Sequence, residues 1–347
     1  MVPPYDPNMR SDAMARRLVT IPRTAILFFG LTLLFPVLVV ITAFVDLIRS
    51  LLTRKPWIAT RLLAIGWVYL VSQMVVIFVS AWQWLVSLPS GQRRASRLAE
   101  GSYRLQAWWV RFIVSAMESV LGLRFEASNI DVVAPGPVIV LFRHASIVDN
   151  LLPYVFVSDQ AEIRLRWVLK KELLSDPALD IGGNRMPNYF VDRKSDSPEQ
   201  ERANIARLGS DLGPDEGVLL FPEGTRFSKA KYEARMSRLA EASPELHEIM
   251  RGHEHVLPPR TGGVLALLDS GMDVVFGIHT GLESLRGLKE IWSESPVGRR
   301  IQVTFRRVPA TDIPAGTDDR IKWLHEEWAR VDDAIVALQR VRHSSDP

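Results

Sequence analysis

Val138-Ile139-Val140-Leu141-Phe142-Arg143-His144-Ala145-Ser146-Ile147-Val148-Asp149 is the stretch on which the fold of this chain turns. A short, branched apolar run followed at once by charged and small residues reads as a buried strand ending in a sharp turn. Runs of the same kind recur downstream at Trp167 to Leu169, Tyr189 to Val191, Val218 to Phe221, Val274 to Ile278 and Ile301 to Phe305. Helical stretches separate them. One opens at Ser197-Pro198-Glu199-Gln200, with capping-box spacing and proline at the first helical position, and stops at Gly213-Pro214, about four turns later. Thr317-Asp318-Asp319 begins a last helix with Ile321, Leu324, Trp328, Val331, Ile335 and Leu338 on one face, followed by a polar tail from His343 to Pro347. Such alternation predicts an α/β domain over residues 124–342, a mostly parallel sheet flanked by helices, with its crevice at the carboxyl ends of the strands.

Upstream the composition changes. Ile26 to Val45 carries no charge and matches the roughly 30 Å of a bilayer core at 1.5 Å per residue. Leu62 to Val86 is a second uncharged run, with Trp82 and Trp84 near one end, where indoles favour the headgroup layer. The two predict an N-terminal transmembrane hairpin within residues 1–92. Arg16, Arg17 and Arg23 precede it, Arg49, Arg54, Lys55 and Arg61 lie between its limbs, and Arg93, Arg94, Arg97 and Arg104 follow. Weighing the outer flanks against the middle loop places both termini on the cytoplasmic side, so the expectation is an inner-membrane protein with its catalytic domain in the cytoplasm. Residues 93–123 connect the two parts as one or two amphipathic helices, apolar through Trp108, Trp109, Phe112, Ile113 and Met117, and basic at Arg104 and Arg111.

The 347 residues hold 42 Lys and Arg against 39 Asp and Glu, a net charge of +3. That bias suits anionic lipid surfaces and does not describe a nucleic-acid binder. The absence of cysteine excludes disulfides, a thiolate nucleophile and a Cys-ligated metal.

His144 and Asp149 form a His-x4-Asp pair. A hydroxyl attacks a thioester slowly because its proton must leave as the bond forms, and an imidazole of pKa about 6.5 is its natural acceptor. A carboxylate on the far ring nitrogen sets the tautomer and offsets the developing cation. Five residues apart on a helix the two side chains would diverge by about 140°, so the pair works only at a strand-to-helix turn. Ser146 lacks the G-x-S-x-G elbow of a hydrolase nucleophile and reads as a turn residue. Phe221-Pro222-Glu223-Gly224-Thr225-Arg226 follows another strand and has no helical or strand logic of its own. Arg226 offers a planar fork for phosphate, and Gly224 lets backbone amides approach an anion. Together the blocks point to acyl transfer to a phosphate-bearing acceptor.

With these residues the chain resembles the PlsC-type lysophospholipid acyltransferases of the glycerolipid acyltransferase superfamily, which include 1-acylglycerol-3-phosphate acyltransferase. His144 and Asp149 match the first family motif, Phe190-Val191-Asp192-Arg193 the second, Phe221 to Arg226 the third without change, and Val256-Leu257-Pro258-Pro259 resembles the fourth. Lys171-Glu172-Leu173 is similar to the stretch between the first two. The resemblance implies that His144 deprotonates the acceptor hydroxyl and that Asp149 supports it. It further implies that Arg193 and Arg226 hold the phosphate, and that Phe190, Glu223, Gly224, Thr225 and Pro258 line the acceptor site. Arg143, where many members carry Asn, and Lys171 are candidate donor or acceptor contacts. Acyl-CoA or acyl-carrier protein is the implied co-substrate, 1-acyl-glycerol-3-phosphate the implied acceptor and phosphatidic acid the product. The alternatives are another lysophospholipid or glycolipid acceptor and a non-catalytic, lipid-binding membrane adaptor on the same fold.

Overall fold

Strand β2, Val138–Phe142, is buried along its whole length, as a continuous run of branched side chains requires of a strand covered on both faces. The computed structural model describes residues 7–192 and 197–345, and the chain divides into two units. One comprises Arg124–Val168, Lys194–Ile291 and Arg300–Pro347. In it β1 (Arg124–Ser128), β3 (Arg164–Lys170), β5 (Glu216–Leu220), β6 (Asp273–Thr280) and β7 (Arg300–Val308) join β2 in the order β1-β7-β6-β2-β5-β3. The strand β4 (Tyr189–Val191) belongs to the other unit.

Val138 of β2 lies opposite Gly217 of β5 on one side and Asp273 of β6 on the other, both in parallel, and β3 runs parallel to β5 with Arg164 opposite Glu216. β7 and β1 run the other way, β7 antiparallel to β6 and β1 parallel to β7. The mostly parallel sheet is therefore as expected, and the carboxyl ends of β2, β5 and β6 meet at one edge. Gly277 of β6 pairs with Phe142, and a Cβ there would stand 2.1 Å from the Phe142 ring, so that ring occupies the space a side chain would take. The last helix, Thr317–Ser345, buries Trp323, Leu324, Trp328, Val331 and Ile335, and the Trp328 ring lies 6.3 Å from that of Phe276 in β6.

Three boundaries depart from the sequence pattern. The helix after Ser197, α4 (Pro198–Leu208), ends with Gly209 rather than at Gly213, and the Ser197 side chain does not close the capping box. Its C-terminus is stopped from outside: Arg166 of β3 donates to the Leu208 carbonyl at 3.2 Å and pairs with Asp211, drawing the chain out of the helix. Strand β1 escapes detection because only Phe125 of its residues is even half-buried. The tail expected from His343 continues the last helix to Ser345.

The other unit comprises Met1–Leu123, Leu169–Arg193 and Trp292–Arg299. Helices α1 (Pro7–Thr53) and α2 (Ala59–Val86) extend past the apolar runs, α1 through Pro22 and Pro36. Their stretches Asp12–Thr53 and Ala59–Val86 are long and apolar enough to cross a membrane by length and composition. Buried Asp46 of α1 caps the start of α2 across the turn, accepting from Ile58 N and Ala59 N at 2.9 Å and from Thr60 N at 2.8 Å. Residues 94–121 form one helix, α3 (Arg94–Leu121), with Leu105, Val110, Ile113, Val114, Met117 and Leu121 buried. It runs back along α2 from end to end: Gln83 Nε2 donates to Gly101 O (3.0 Å), Trp109 Nε1 to Ser72 Oγ (3.0 Å) and Arg61 Nη1 to Val120 O (2.9 Å).

Candidate active site

The chain leaves β2 at Phe142 and turns sharply, which brings His144 and Asp149 together as their spacing requires. Asp149 is fully buried, and its Oδ2 accepts His144 Nδ1 at 3.1 Å, Ala145 N at 2.5 Å and Ser146 N at 2.7 Å. The carboxylate thus folds the turn and orients the ring with the same oxygen. Ser146 closes the turn as a buried capping residue, accepting from Val148 N and donating to the Leu285 carbonyl, each at 3.2 Å. With Nδ1 committed to Asp149, the His144 ring leans against Phe221 at 4.7 Å and keeps 16 % side-chain exposure, so Nε2 is the nitrogen left to meet a substrate.

Glu223 lies beneath this turn. Its Oε1 accepts His144 N at 2.7 Å and its Oε2 accepts Leu257 N at 2.9 Å, so one buried carboxyl stitches the ends of β2 and β5 to the Val256-Leu257-Pro258 segment. Burial pushes this carboxyl up to about 8, against the two amides and the Arg143 guanidinium, which pull it down. The loop that follows is tied to the same centre, because Phe227 N donates to the His144 carbonyl at 2.9 Å. Gly224 adopts φ +64°, a left-handed turn suited to glycine.

Arg226 is half-buried and donates to the Arg286 carbonyl at 3.2 Å. Lys231 Nζ reaches Thr225 Oγ1 at 3.1 Å and the Arg226 carbonyl at 3.0 Å, while Arg286 lies over the Phe227 ring. Burial, then the cations Arg226 and Arg235, lower the Lys231 ammonium from its ordinary value. The loop after the Glu223 turn is thus a concentration of positive charge oriented by backbone carbonyls, and among the described residues none of Arg226, Lys231 and Arg286 has a carboxylate at ion-pair distance.

Several sequence-expected contacts are placed elsewhere. Arg143 does not face a substrate: it is wholly buried, paired with Glu283 at 2.8 Å and bonded to the His255 carbonyl at 3.2 Å. The reason is the alternation of an extended chain, which sends neighbouring side chains 143 and 144 to opposite sides. Glu223 positions backbone and is shut off from an acceptor. Pro258 is buried with its carbonyl taken by Arg235 Nη1 at 2.8 Å, which also places it as support. Phe190 is 2 % exposed and packs so closely on Gly183 that a Cβ there would come within 2.8 Å of its ring, so it is a core residue of the helical unit. Lys171, in the same unit, pairs with Asp192 at 3.0 Å. Arg193 lies outside the described residues.

Sequence reasoning missed His279, buried at the end of β6. Its Nε2 stands 3.2 Å from the Arg143 carbonyl and 3.6 Å from Asp149 Oδ1, so it backs the carboxylate from the side away from His144. Burial holds this imidazole below its usual value, with Asp149 opposing and Arg143 assisting, and the ring is a neutral donor. Glu283, also missed, secures Arg143; against the burial that would raise it, Arg143 holds its carboxyl well below the usual carboxylate range. An imidazole inside the apolar run Asp273–Thr280 was the available signal. No group that could hold a metal ion is found among the described residues.

Residues 124–275 match the family model described as Acyltransferase. Lysocardiolipin acyltransferase 1 of Mus musculus is 22 % identical over 242 residues, covering 67 % of this chain and 62 % of that protein. The chain therefore spans under two thirds of the length of that relative. The 1-acyl-sn-glycerol-3-phosphate acyltransferase gamma of Homo sapiens is 25 % identical over 294 residues, covering 80 % of this chain and 73 % of that protein. Among solved structures, the 1-acyl-sn-glycerophosphate (LPA) acyltransferase PlsC from Thermotoga maritima shares the fold with a TM-score of 0.52 at 15 % identity, covering 80 % of this chain and 96 % of that one.

Proposed function

We propose that this chain, whose residues 124–275 match the acyltransferase family model, moves a fatty acyl group from acyl-CoA or acyl-carrier protein to the free hydroxyl of 1-acyl-glycerol-3-phosphate, giving phosphatidic acid. The observation that carries the reading is the His144 ring, fixed through Nδ1 by Asp149 with Nε2 left free for substrate, on the same turn to which the cationic loop of Arg226 is tied. His144 Nε2 takes the hydroxyl proton as the oxygen attacks the thioester carbonyl. The tetrahedral intermediate collapses, the thiolate leaves, and the imidazolium returns the proton to the sulfur. Asp149 offsets the imidazolium charge in between. Arg226, with Lys231 beside it, supplies the fork and point charge for the acceptor phosphate, and the resemblance to the second family motif implies a phosphate-holding role for Arg193. The sequence needs neither a metal nor an acyl-enzyme for this route. The enzyme works at a membrane, on the cytoplasmic face of the inner membrane.

Labelled acyl transfer by the detergent-purified protein tests this, with lysophosphatidic acid, glycerol 3-phosphate, other lysophospholipids and a neutral glycolipid as acceptors. His144→Ala is expected to lower kcat by about 10²–10⁴ while the protein stays folded. Activity unchanged in that variant removes the base. A preferred acceptor other than lysophosphatidic acid, lysocardiolipin included in view of that relative's name, keeps the mechanism and overturns the headgroup. No transfer from either donor leaves the non-catalytic adaptor.

A further inference from the structure

At one end of the helical unit the first turns of α1, the end of α2 and the start of α3 meet the segment Leu179–Arg185. Asp180, fully buried, accepts Arg16 Nη2 at 2.9 Å on one oxygen and Arg17 Nε at 2.8 Å on the other, and Asn184 Nδ2 adds a bond at 3.0 Å. Two arginines thus saturate that carboxylate. Beside it Arg185 donates Nη2 to the Ser80 carbonyl at 3.0 Å and Nη1 to Gln83 Oε1 at 3.4 Å, and Gln83 is itself held by the Gly101 carbonyl. Arg94 gives Nε to Ser87 Oγ at 3.3 Å and lies over the Trp84 ring at 5.2 Å.

Neutral acceptors orient these guanidiniums but do not cancel their charge, and among the described residues neither Arg94 nor Arg185 has a carboxylate at ion-pair distance. Burial, with Arg17 and then Arg94 adding to it, brings Arg185 down to about 10. Half-buried arginines massed without counter-charge are stabilised by a bound anion, and planar forks with unused N–H groups suit the oxygens of a phosphate. The source is marked by the surroundings. Trp82 and Trp84 are 64 % and 49 % exposed here, and α1 presents Leu18, Val19, Ile26 and Leu27 uncovered, the arrangement of an aromatic belt at headgroup level.

We propose that Arg94 and Arg185 form an anion site, outside the unit that carries His144, which holds the phosphate of an anionic membrane phospholipid as a resident ligand. The site rests on contact of the helical unit with lipid and is independent of acyl transfer.

The test is titration of the full-length, detergent-purified chain with dioctanoyl phosphatidylglycerol, read by native mass spectrometry, for wild type, Arg94→Gln, Arg185→Gln and the double variant. Each single change is expected to weaken lipid binding about tenfold, as loss of a charge-assisted bond does, and the double change to abolish it. Arg94 lies on the accessible start of α3, so its variant remains informative if Arg185→Gln fails to fold. Equal binding by wild type and the double variant overturns the site. Displacement of the lipid by millimolar inorganic phosphate overturns the lipid assignment. Acyl transfer assayed on the same samples is expected to persist in the double variant. Its absence in wild type would count against the proposed function alone, because lipid retention is read separately.

Discussion

Glu223 shows how one side chain can hold a centre without touching its substrate. Either oxygen of a carboxyl, protonated or not, can accept an N–H, here from His144 and Leu257, whereas an amide turns an NH2 toward one of them. Glu223→Gln is therefore expected to destabilise the fold by about 1–3 kcal/mol, the cost of a buried N–H left unpaired, measured by chemical denaturation. The same carboxyl sets a pH dependence. Its folded value of about 8 lies above the ordinary 4.5, so the folded state holds the extra proton between them. Stability is full below about pH 4.5 and falls as pH rises through about 8, with a slope approaching about 1.4 kcal/mol per pH unit; in Glu223→Gln that slope is expected to vanish. His279 acts through Asp149, as a positioning residue. His279→Ala is expected to lower kcat about tenfold with KM little changed and to alter the pH profile of kcat, whereas His279→Asn, which keeps a donor, recovers part of it. An unchanged pH profile would leave His279 a packing residue.

At the scale of elements, the carboxyl ends of three parallel strands gather the site, and their spacing is set by what lies between them. Gly277 gives the Phe142 ring its place across β6, directly before the turn that carries His144. Gly277→Ala is expected to cost about 1–3 kcal/mol by overpacking and to lower activity with it, because the displaced ring leads straight into His144; differential scanning calorimetry and turnover together check this. The strands themselves were readable, since buried runs such as Val138–Phe142 show in composition. Helix α4 was misjudged because Arg166, remote in sequence, decides where it stops. Strand β1 was missed because its pairing with β7 leaves little to bury.

For the whole molecule, the decisive feature is the company α2 keeps. Arg97, Arg104, Arg111 and Glu118 stand exposed at heptad intervals along α3, and α3 follows α2 from Gly101 beside Gln83 to Val120 beside Arg61. A stripe of charge that long has to reach water, since a lipid-facing arginine in mid-bilayer costs at least about 2.5 kcal/mol. Basic residues at both ends of the hairpin and at its turn fit one aqueous side equally well. Length alone allows α1 and α2 to cross, but this packing predicts that they enter with α1 toward lipid and α3 toward water. In a chain without cysteine, Thr53→Cys at the turn and Arg104→Cys on α3 are expected to react with an impermeant maleimide from the same face of sealed vesicles. Labelling of Thr53→Cys only from the opposite face would establish a spanning hairpin.

The amino-acid pattern by itself determined the mostly parallel α/β class, the long apolar helices, the His144 and Asp149 pair and the positive turn at Arg226, because strand burial, span length and a five-residue turn are local properties of the chain. Tertiary structure alone decided that Arg143 points inward to Glu283, that Glu223 and Pro258 support the turn, and that His279 backs Asp149. Those contacts join residues separated by 23 to 140 positions, and such partners are chosen by which strands lie side by side, a choice no local spacing encodes.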